Sequence, residues 1–255
     1  MAGVLDGKVV IVTGAGGGIG RASCLVLAEA GARVVVSDIS GDAGEETAAA
    51  VRDAGYEAVF VKTDLASEQA IAGLVASAVK SFGRLDGAFN NAGLEQRNKP
   101  LVDLTLEEWD HAIRIDLTAV FLCIKYQVPA MLATGGGAIV NTASSLGQVG
   151  LANAGEYVSA KHGVIGLTRA AGAEYASKGV RVNAILPGIT RTPMIARLSD
   201  DPTFSGMFDR LRARHPIGRF GEPSEIGEAA KWLLSDASSF VNGAAIAVDG
   251  GYLSI

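Results

Sequence analysis

Val9-Val10-Ile11-Val12-Thr13-Gly14-Ala15-Gly16-Gly17-Gly18-Ile19-Gly20 decides the fold of this chain. Val9–Val12 is a short run of β-branched apolar residues, which predicts a buried strand. Glycines follow at once, and a helical pattern over about 19–30 comes after them. A strand, a tight glycine turn and a helix are the first half of a βαβ unit. The glycines at 14, 16, 17, 18 and 20 let the main chain turn and approach a pyrophosphate closely. The helix that opens at Ile19 offers main-chain N–H groups and the positive end of its dipole to an anion. The alternative is a purely structural turn.

The same alternation continues outward. Strands are expected at Arg33–Ser37, Ala58–Lys62, Leu85–Asn90, Ala138–Thr142, Arg181–Leu186 and Ala244–Val248. Helices are expected near 42–54, 67–82, 106–133, 156–177 and 223–235. This order predicts an α/β protein: a doubly wound parallel sheet of about seven strands with helices on both faces. No linker or shift in composition divides residues 1–255, so one domain is expected. One irregular stretch, about 189–221, is rich in Pro and Gly yet carries Met194, Ile195, Leu198, Phe204, Met207, Phe208 and Leu211. A substrate lid with short helical pieces fits that composition. An oligomer contact is the other reading.

Composition narrows the functional classes. With 49% hydrophobic and 19% charged residues, a net charge of −5 and no Lys/Arg run, a surface for nucleic acid or anionic membrane is not expected. Cys24 and Cys123 sit in apolar helical patterns and read as buried free thiols. The three histidines are scattered, so no metal site is expected. No apolar run reaches bilayer length and the N-terminus lacks a signal peptide's pattern. A soluble, cytoplasmic protein is the expectation.

Further motifs fall at the predicted carboxyl ends of successive strands, where ligands bind in open α/β sheets. Asp38 ends the second strand, eighteen residues after Gly20. A carboxylate there accepts hydrogen bonds from adenosine ribose hydroxyls and repels a 2′-phosphate. No Arg or Lys stands in the glycine loop or directly after Asp38, which favours NAD over NADP. Asp64-Leu65 ends the third strand, where a side-chain acceptor meets an adenine amino group. The fourth ends in Asn90-Asn91-Ala92-Gly93. Tyr157 and Lys161 stand four apart on one helix face, with Ser144 thirteen residues before the tyrosine. A phenol is a poor acid or base at neutral pH, and a neighbouring ammonium favours its phenolate. A plain solvated helix pair is the competing reading of Tyr157 and Lys161 taken alone.

Together, TGAGGGIG at 13–20, Asp38, Asp64-Leu65, NNAG at 90–93, Ser144, YVSAK at 157–161, and Pro187-Gly188 followed by Thr192 resemble the short-chain dehydrogenase/reductase family. The likeness covers nearly the whole chain. It implies that Tyr157 is the acid/base, that Lys161 binds the nicotinamide ribose and supports the phenolate, and that Ser144 orients the substrate oxygen. It implies that Asn91 lies beside the cofactor ribose and that Ile189 and Thr192 meet the nicotinamide carboxamide. It also implies a homotetramer built through the helices near 106–133 and 156–177 and the C-terminal segment. The chain departs from the family at Ile113-Arg114-Ile115-Asp116-Leu117, where Asp116 replaces the usual asparagine. In the family that residue's main-chain carbonyl holds a water, and its side chain helps hold a helix distortion. A main-chain role survives the change and the side-chain role is open, which makes Asp116 an altered fourth member of the catalytic set beside Ser144, Tyr157 and Lys161. If only the carbonyl acts, Asp116→Asn is expected to be nearly silent; the alternative is an ionised side chain that stabilises Lys161 as a cation and opposes the phenolate.

The expected activity is reversible hydride transfer between NAD and a secondary alcohol or ketone. A non-catalytic NAD-binding sensor or scaffold, and the same fold with dehydratase or epimerase chemistry, are the alternatives. The apolar lid suggests a hydrophobic or cyclic small-molecule substrate. Gln96 or Arg97, Gln148, Asn153 and Met194 are candidate substrate contacts. The polar loop 94–99 otherwise faces solvent.

Overall fold

The computed structural model describes residues 3–192, 195 and 205–255. Seven strands form one sheet: β1 (Val9–Thr13), β2 (Arg33–Asp38), β3 (Ala58–Lys62), β4 (Gly87–Asn90), β5 (Gly137–Thr142), β6 (Val180–Pro187) and β7 (Ala245–Val248). Their order is β3-β2-β1-β4-β5-β6-β7, and every pair is parallel. The helices are α1 (Gly18–Glu29), α2 (Gly41–Asp53), α3 (Glu68–Phe82), α4 (Leu106–Ile113), α5 (Ala119–Leu132), α6 (Gly155–Tyr175), α7 (Ser205–Ala213) and α8 (Pro223–Leu234).

β1 shows why the sheet is parallel and central. All five of its residues are buried. Successive side chains point to opposite faces. Val10 and Val12 pack with Cys24, Leu27, Ile226 and Leu233 of α1 and α8. Val9 and Ile11 pack with Leu74, Val128 and Val164 of α3, α5 and α6. A strand buried on both faces needs no polar alternation, so its sequence is an unbroken apolar run. The expected fourth strand began at Leu85, but pairing starts at Gly87. Asp86 ties that entrance to β1 instead, its Oδ2 accepting from Val9 N at 2.9 Å.

Local signals set the helix ends. Ser40 and Ser67 accept from Ala43 N and Ala70 N and so cap α2 and α3. Thr105 and Glu108 form a reciprocal capping box at α4. Between α4 and α5 the helix runs on through a π-helical turn, Arg114–Thr118. The sequence shows no uninterrupted apolar run of bilayer length, but the continuous helix Leu106–Leu132 is long and apolar enough to cross a bilayer by length and composition. That corrects the expectation. The polar residues of the π turn break the run in the sequence without breaking the helix, and half of the apolar window is buried. Val120, Ile124, Val128 and Met131 lie in the core.

The chain runs outward from β1 to β3, then returns to the centre as β4. The strand order reverses there, opening a crevice beyond the carboxyl ends of β1 and β4.

Candidate active site

The glycine loop forms one wall of that crevice. Gly14 has φ 62°, and a Cβ on it would stand 2.7 Å from the Cα of Ala92. Only glycine lets the β1 and β4 ends approach this closely. Asn91 joins them: its Nδ2 donates to the carbonyls of Thr13 and Gly14 at 3.1 and 3.3 Å. Thr13 Oγ1 accepts from Asn91 N and Ala92 N. Gly17 precedes α1 without a side-chain cap, and a Cβ there would meet nothing within 4 Å. The first N–H groups of α1, from Gly18 through Gly20, have no intrahelical acceptor. Thr192 stands over the loop, its Cγ2 3.1 Å from where a Cβ of Gly18 would lie.

Asp38 leaves β2 half-buried beside the loop. Its Oδ2 accepts from Gly16 N at 2.8 Å and its Oδ1 from Ser40 N at 2.9 Å. Two oxygens offer about four acceptor positions, so lone pairs remain for hydroxyl donors. Lys62 is the register partner of Asp38 on β3. Asp64 accepts from Ala66 N at 2.9 Å in a turn leading into α3, and Leu65 packs on a small core with Ile71 and Leu122.

The second wall comes from β5, α6 and the π turn. Ser144 follows β5 with Oγ accepting from Leu146 N at 3.1 Å. Its turn, Ser145–Gly147, lies on α6: a Cβ on Gly147 would stand 2.9 Å from Lys161 O. Tyr157 and Lys161 occupy the first two turns of α6. Lys161 is buried at 2% exposure. Its Nζ donates to Thr142 O at 3.3 Å, meets Asp116 Oδ1 at 3.2 Å, and sits 5.3 Å from the centre of the Tyr157 ring. Asp116 is 1% exposed within the π turn. Its Oδ1 also accepts from Leu94 N at 3.0 Å, while Oδ2 is buried without a hydrogen-bond partner. Gly93 is the residue that permits this: a Cβ there would lie 2.6 Å from Asp116 Oδ1 and 3.1 Å from Lys161 Nζ. The side chain of Asp116 therefore touches the ammonium, the alternative that the sequence left open beside a main-chain role.

The remaining candidates divide. Gln96 is half-buried beside Gly93's loop, while Gln148 and Asn153 are exposed, Asn153 at φ 64°. Arg97 is exposed, but its main-chain N donates to Glu156 Oε1 at 2.6 Å, and Lys99 bridges to Ala154. The polar loop is thus stitched to the start of α6. Met194 lies outside the described residues, as do Leu198 and Phe204 of the expected lid. The helical piece expected in that stretch is α7, with Phe208 buried against Phe220 at a ring separation of 5.9 Å. Ile189 has both main-chain groups engaged, N to His215 Nε2 and O from Gly221 N.

Sequence reasoning gave no role to seven residues that finish the site. Thr13 and Thr142 act through one hydroxyl oxygen and one main-chain carbonyl, for which no composition signal exists. Glu156 is fully buried beside Tyr157, and a carboxylate in a buried helix start was the available clue. Beneath the site, Asn90, Gln127, Asn141 and Thr168 form a buried side-chain network. Among the described residues no cluster of His, Cys, Asp and Glu suits a metal.

Known proteins are similar to this chain in sequence and in fold. The family model described as enoyl-(acyl carrier protein) reductase matches residues 14–253. A 2,5-dichloro-2,5-cyclohexadiene-1,4-diol dehydrogenase of Sphingobium indicum is 50% identical over 98% of this chain and 99% of its own. A cyclohexanol dehydrogenase of Acinetobacter sp. is 43% identical over 100% of this chain and 98% of its own. The solved carveol dehydrogenase from Mycobacterium avium in complex with NAD superposes with a TM-score of 0.94 at 33% identity, covering 99% of this chain and 100% of that one. Matched along nearly its full length in sequence and in fold, the chain belongs to the short-chain dehydrogenase/reductase family.

Proposed function

We propose that this protein oxidises a cyclic secondary alcohol to its ketone with NAD, reversibly. One observation carries the reading: a buried Lys161 ammonium lies 5.3 Å from the centre of the Tyr157 ring, on the wall of the crevice opposite the glycine loop. The glycine loop, the open N-terminus of α1 and Asp38 fit a dinucleotide, because they offer close main chain, N–H donors and ribose acceptors in sequence along one edge. Bound NAD would supply the acceptor for the hydride.

The chain's own residues handle the oxygen and its proton. Lys161 places a positive charge beside the Tyr157 ring and so favours the phenolate, which takes the proton of the substrate hydroxyl. Ser144 Oγ accepts one hydrogen bond from Leu146 N and keeps its own hydrogen to donate to the substrate oxygen. Asp116 and the Thr142 carbonyl hold the ammonium in place. The relatives named for ring alcohols support a cyclic substrate.

NADP is the second reading. Lys62 stands in register beside Asp38, where a cation would offset the carboxylate's repulsion of a 2′-phosphate. The test is incubation with NAD or NADP and a panel of cyclic and open-chain alcohols, followed by nicotinamide absorbance. Turnover of cyclic alcohols with NAD is expected. No reduced cofactor with any alcohol, despite nucleotide binding, would sink the dehydrogenase reading in favour of a sensor or of redox-neutral chemistry.

A further inference from the structure

His215 takes no part in the chemistry above, yet its ring is only 2% exposed and lies against the segment that leaves β6. Its two nitrogens meet partners of opposite kind. Nδ1 lies 2.9 Å from the Leu211 carbonyl, which can only accept, so Nδ1 carries the hydrogen. Nε2 lies 3.1 Å from Ile189 N, which can only donate, so Nε2 is bare. The two contacts together define a neutral imidazole in one tautomer. Phe220 and Tyr252 hold the ring from the sides, with centroids at 5.8 and 5.3 Å. Gly188 makes room for it, since a Cβ there would stand 2.9 Å from Nε2.

The ring joins two elements. Leu211 is in the last turn of α7, so His215 satisfies one of that helix's open carbonyls. Ile189 follows Pro187-Gly188 at the end of β6, and its carbonyl accepts from Gly221 N at 2.9 Å. The main chain at Ile189 is thus gripped from both sides, and the N–H side rests on the imidazole.

We propose that His215 is a positioning residue for the nicotinamide end of the site: a neutral ring whose bare Nε2 fixes the main chain at Gly188-Ile189. The proposal rests on the proposed cofactor reading of that segment. A side chain that offers no acceptor at that point leaves the Ile189 N–H without its partner, and cofactor affinity falls with it.

The experiment is a fluorescence titration with NADH and NADPH on wild type, His215→Leu and His215→Gln, with thermal melts to confirm folding. The glutamine places an amide oxygen near the position of Nε2. His215→Leu is expected to bind about three- to tenfold more weakly than wild type. His215→Gln is expected to bind as wild type. Equal affinity of folded His215→Leu, or a folded His215→Gln that binds as weakly as His215→Leu, overturns the role of His215. If the leucine variant does not fold, weaker binding by the glutamine variant than by wild type overturns it alone. A wild type that binds neither nucleotide overturns the cofactor reading, and this proposal with it.

Discussion

At the scale of single residues, the site is a question of where charge sits. Tyr157→Phe keeps the ring on which Lys161 packs and removes only the oxygen. It is expected to bind cofactor as wild type and lose about a hundredfold or more in turnover, read from kcat and a nucleotide titration. Asp116→Asn tests the carboxylate, and the geometry replaces the near-silent expectation drawn from the sequence. The amide oxygen can still accept from Leu94 N, so the fold of the π turn should survive. What is lost is an anion 3.2 Å from Lys161 Nζ. With asparagine the ammonium keeps the Thr142 carbonyl and an amide oxygen but loses its charged partner. Turnover should therefore fall in a variant that still folds, read from kcat beside a thermal melt. Unchanged turnover would show that the carboxylate itself has no task in the site.

At the scale of elements, the strands were legible because a parallel strand buried on both faces is written as an apolar run, as in Val9–Val12 and Ala184–Leu186. The helix starts expected near 42, 67 and 106 lie at the caps Ser40, Ser67 and the Thr105/Glu108 pair, which the structure reveals. The π turn was not, because a shift of hydrogen-bond register leaves no mark in composition. Nor were the contacts that finish the site: Asp116 reaches Leu94 N across 22 positions, and Glu156 reaches Arg97 N across 59. Such pairs are made by packing, and the sequence carries only their separate members. At Gly93 the chain leaving β4 meets the π turn and α6, and Gly93→Ala should cut turnover more than stability, because its methyl would push between Asp116 and Lys161. Melting and kinetics measured together check this. At α8, Arg219 and a main-chain N–H from Glu222 hold the Glu225 carboxyl down to about 2, below the usual carboxylate range. A depressed carboxyl stabilises the fold above its unfolded value, and that contribution disappears as pH falls from about 4.5 to about 2. Its side chain is 43% exposed, so screening keeps the effect near or below about 1 kcal/mol. Acid unfolding of Glu225→Gln against wild type should show a slightly lower stability at neutral pH that converges with wild type in strong acid.

At the scale of the whole molecule, burial decides what the surroundings can reach. Cys24 and Cys123 are unpaired and buried; desolvation pushes the Cys123 thiol up to about 12 and the Cys24 thiol higher still. Both should resist thiol reagents in the native protein and react once it is denatured, which a timed colorimetric assay follows. Apolar side chains also remain outside: Leu106, Phe121 and Leu132 on the long helix are 74%, 47% and 36% exposed. A face of that kind is expected to be covered by further copies, giving a tetramer by sedimentation. The return of the chain to the middle of the sheet also governs assembly in time. The segment through residue 62 can close its three strands early, with only its own neighbours in sequence. β1 must then wait with one bare, strongly apolar edge until residues 87–90 arrive to pair with it. Half of the nucleotide cradle thus precedes the reactive side chains, and the waiting edge is the point at which two unfinished chains can join. Refolding yield should fall steeply as protein concentration rises, and the lost fraction should be aggregate whose growth begins before the crevice can bind nucleotide.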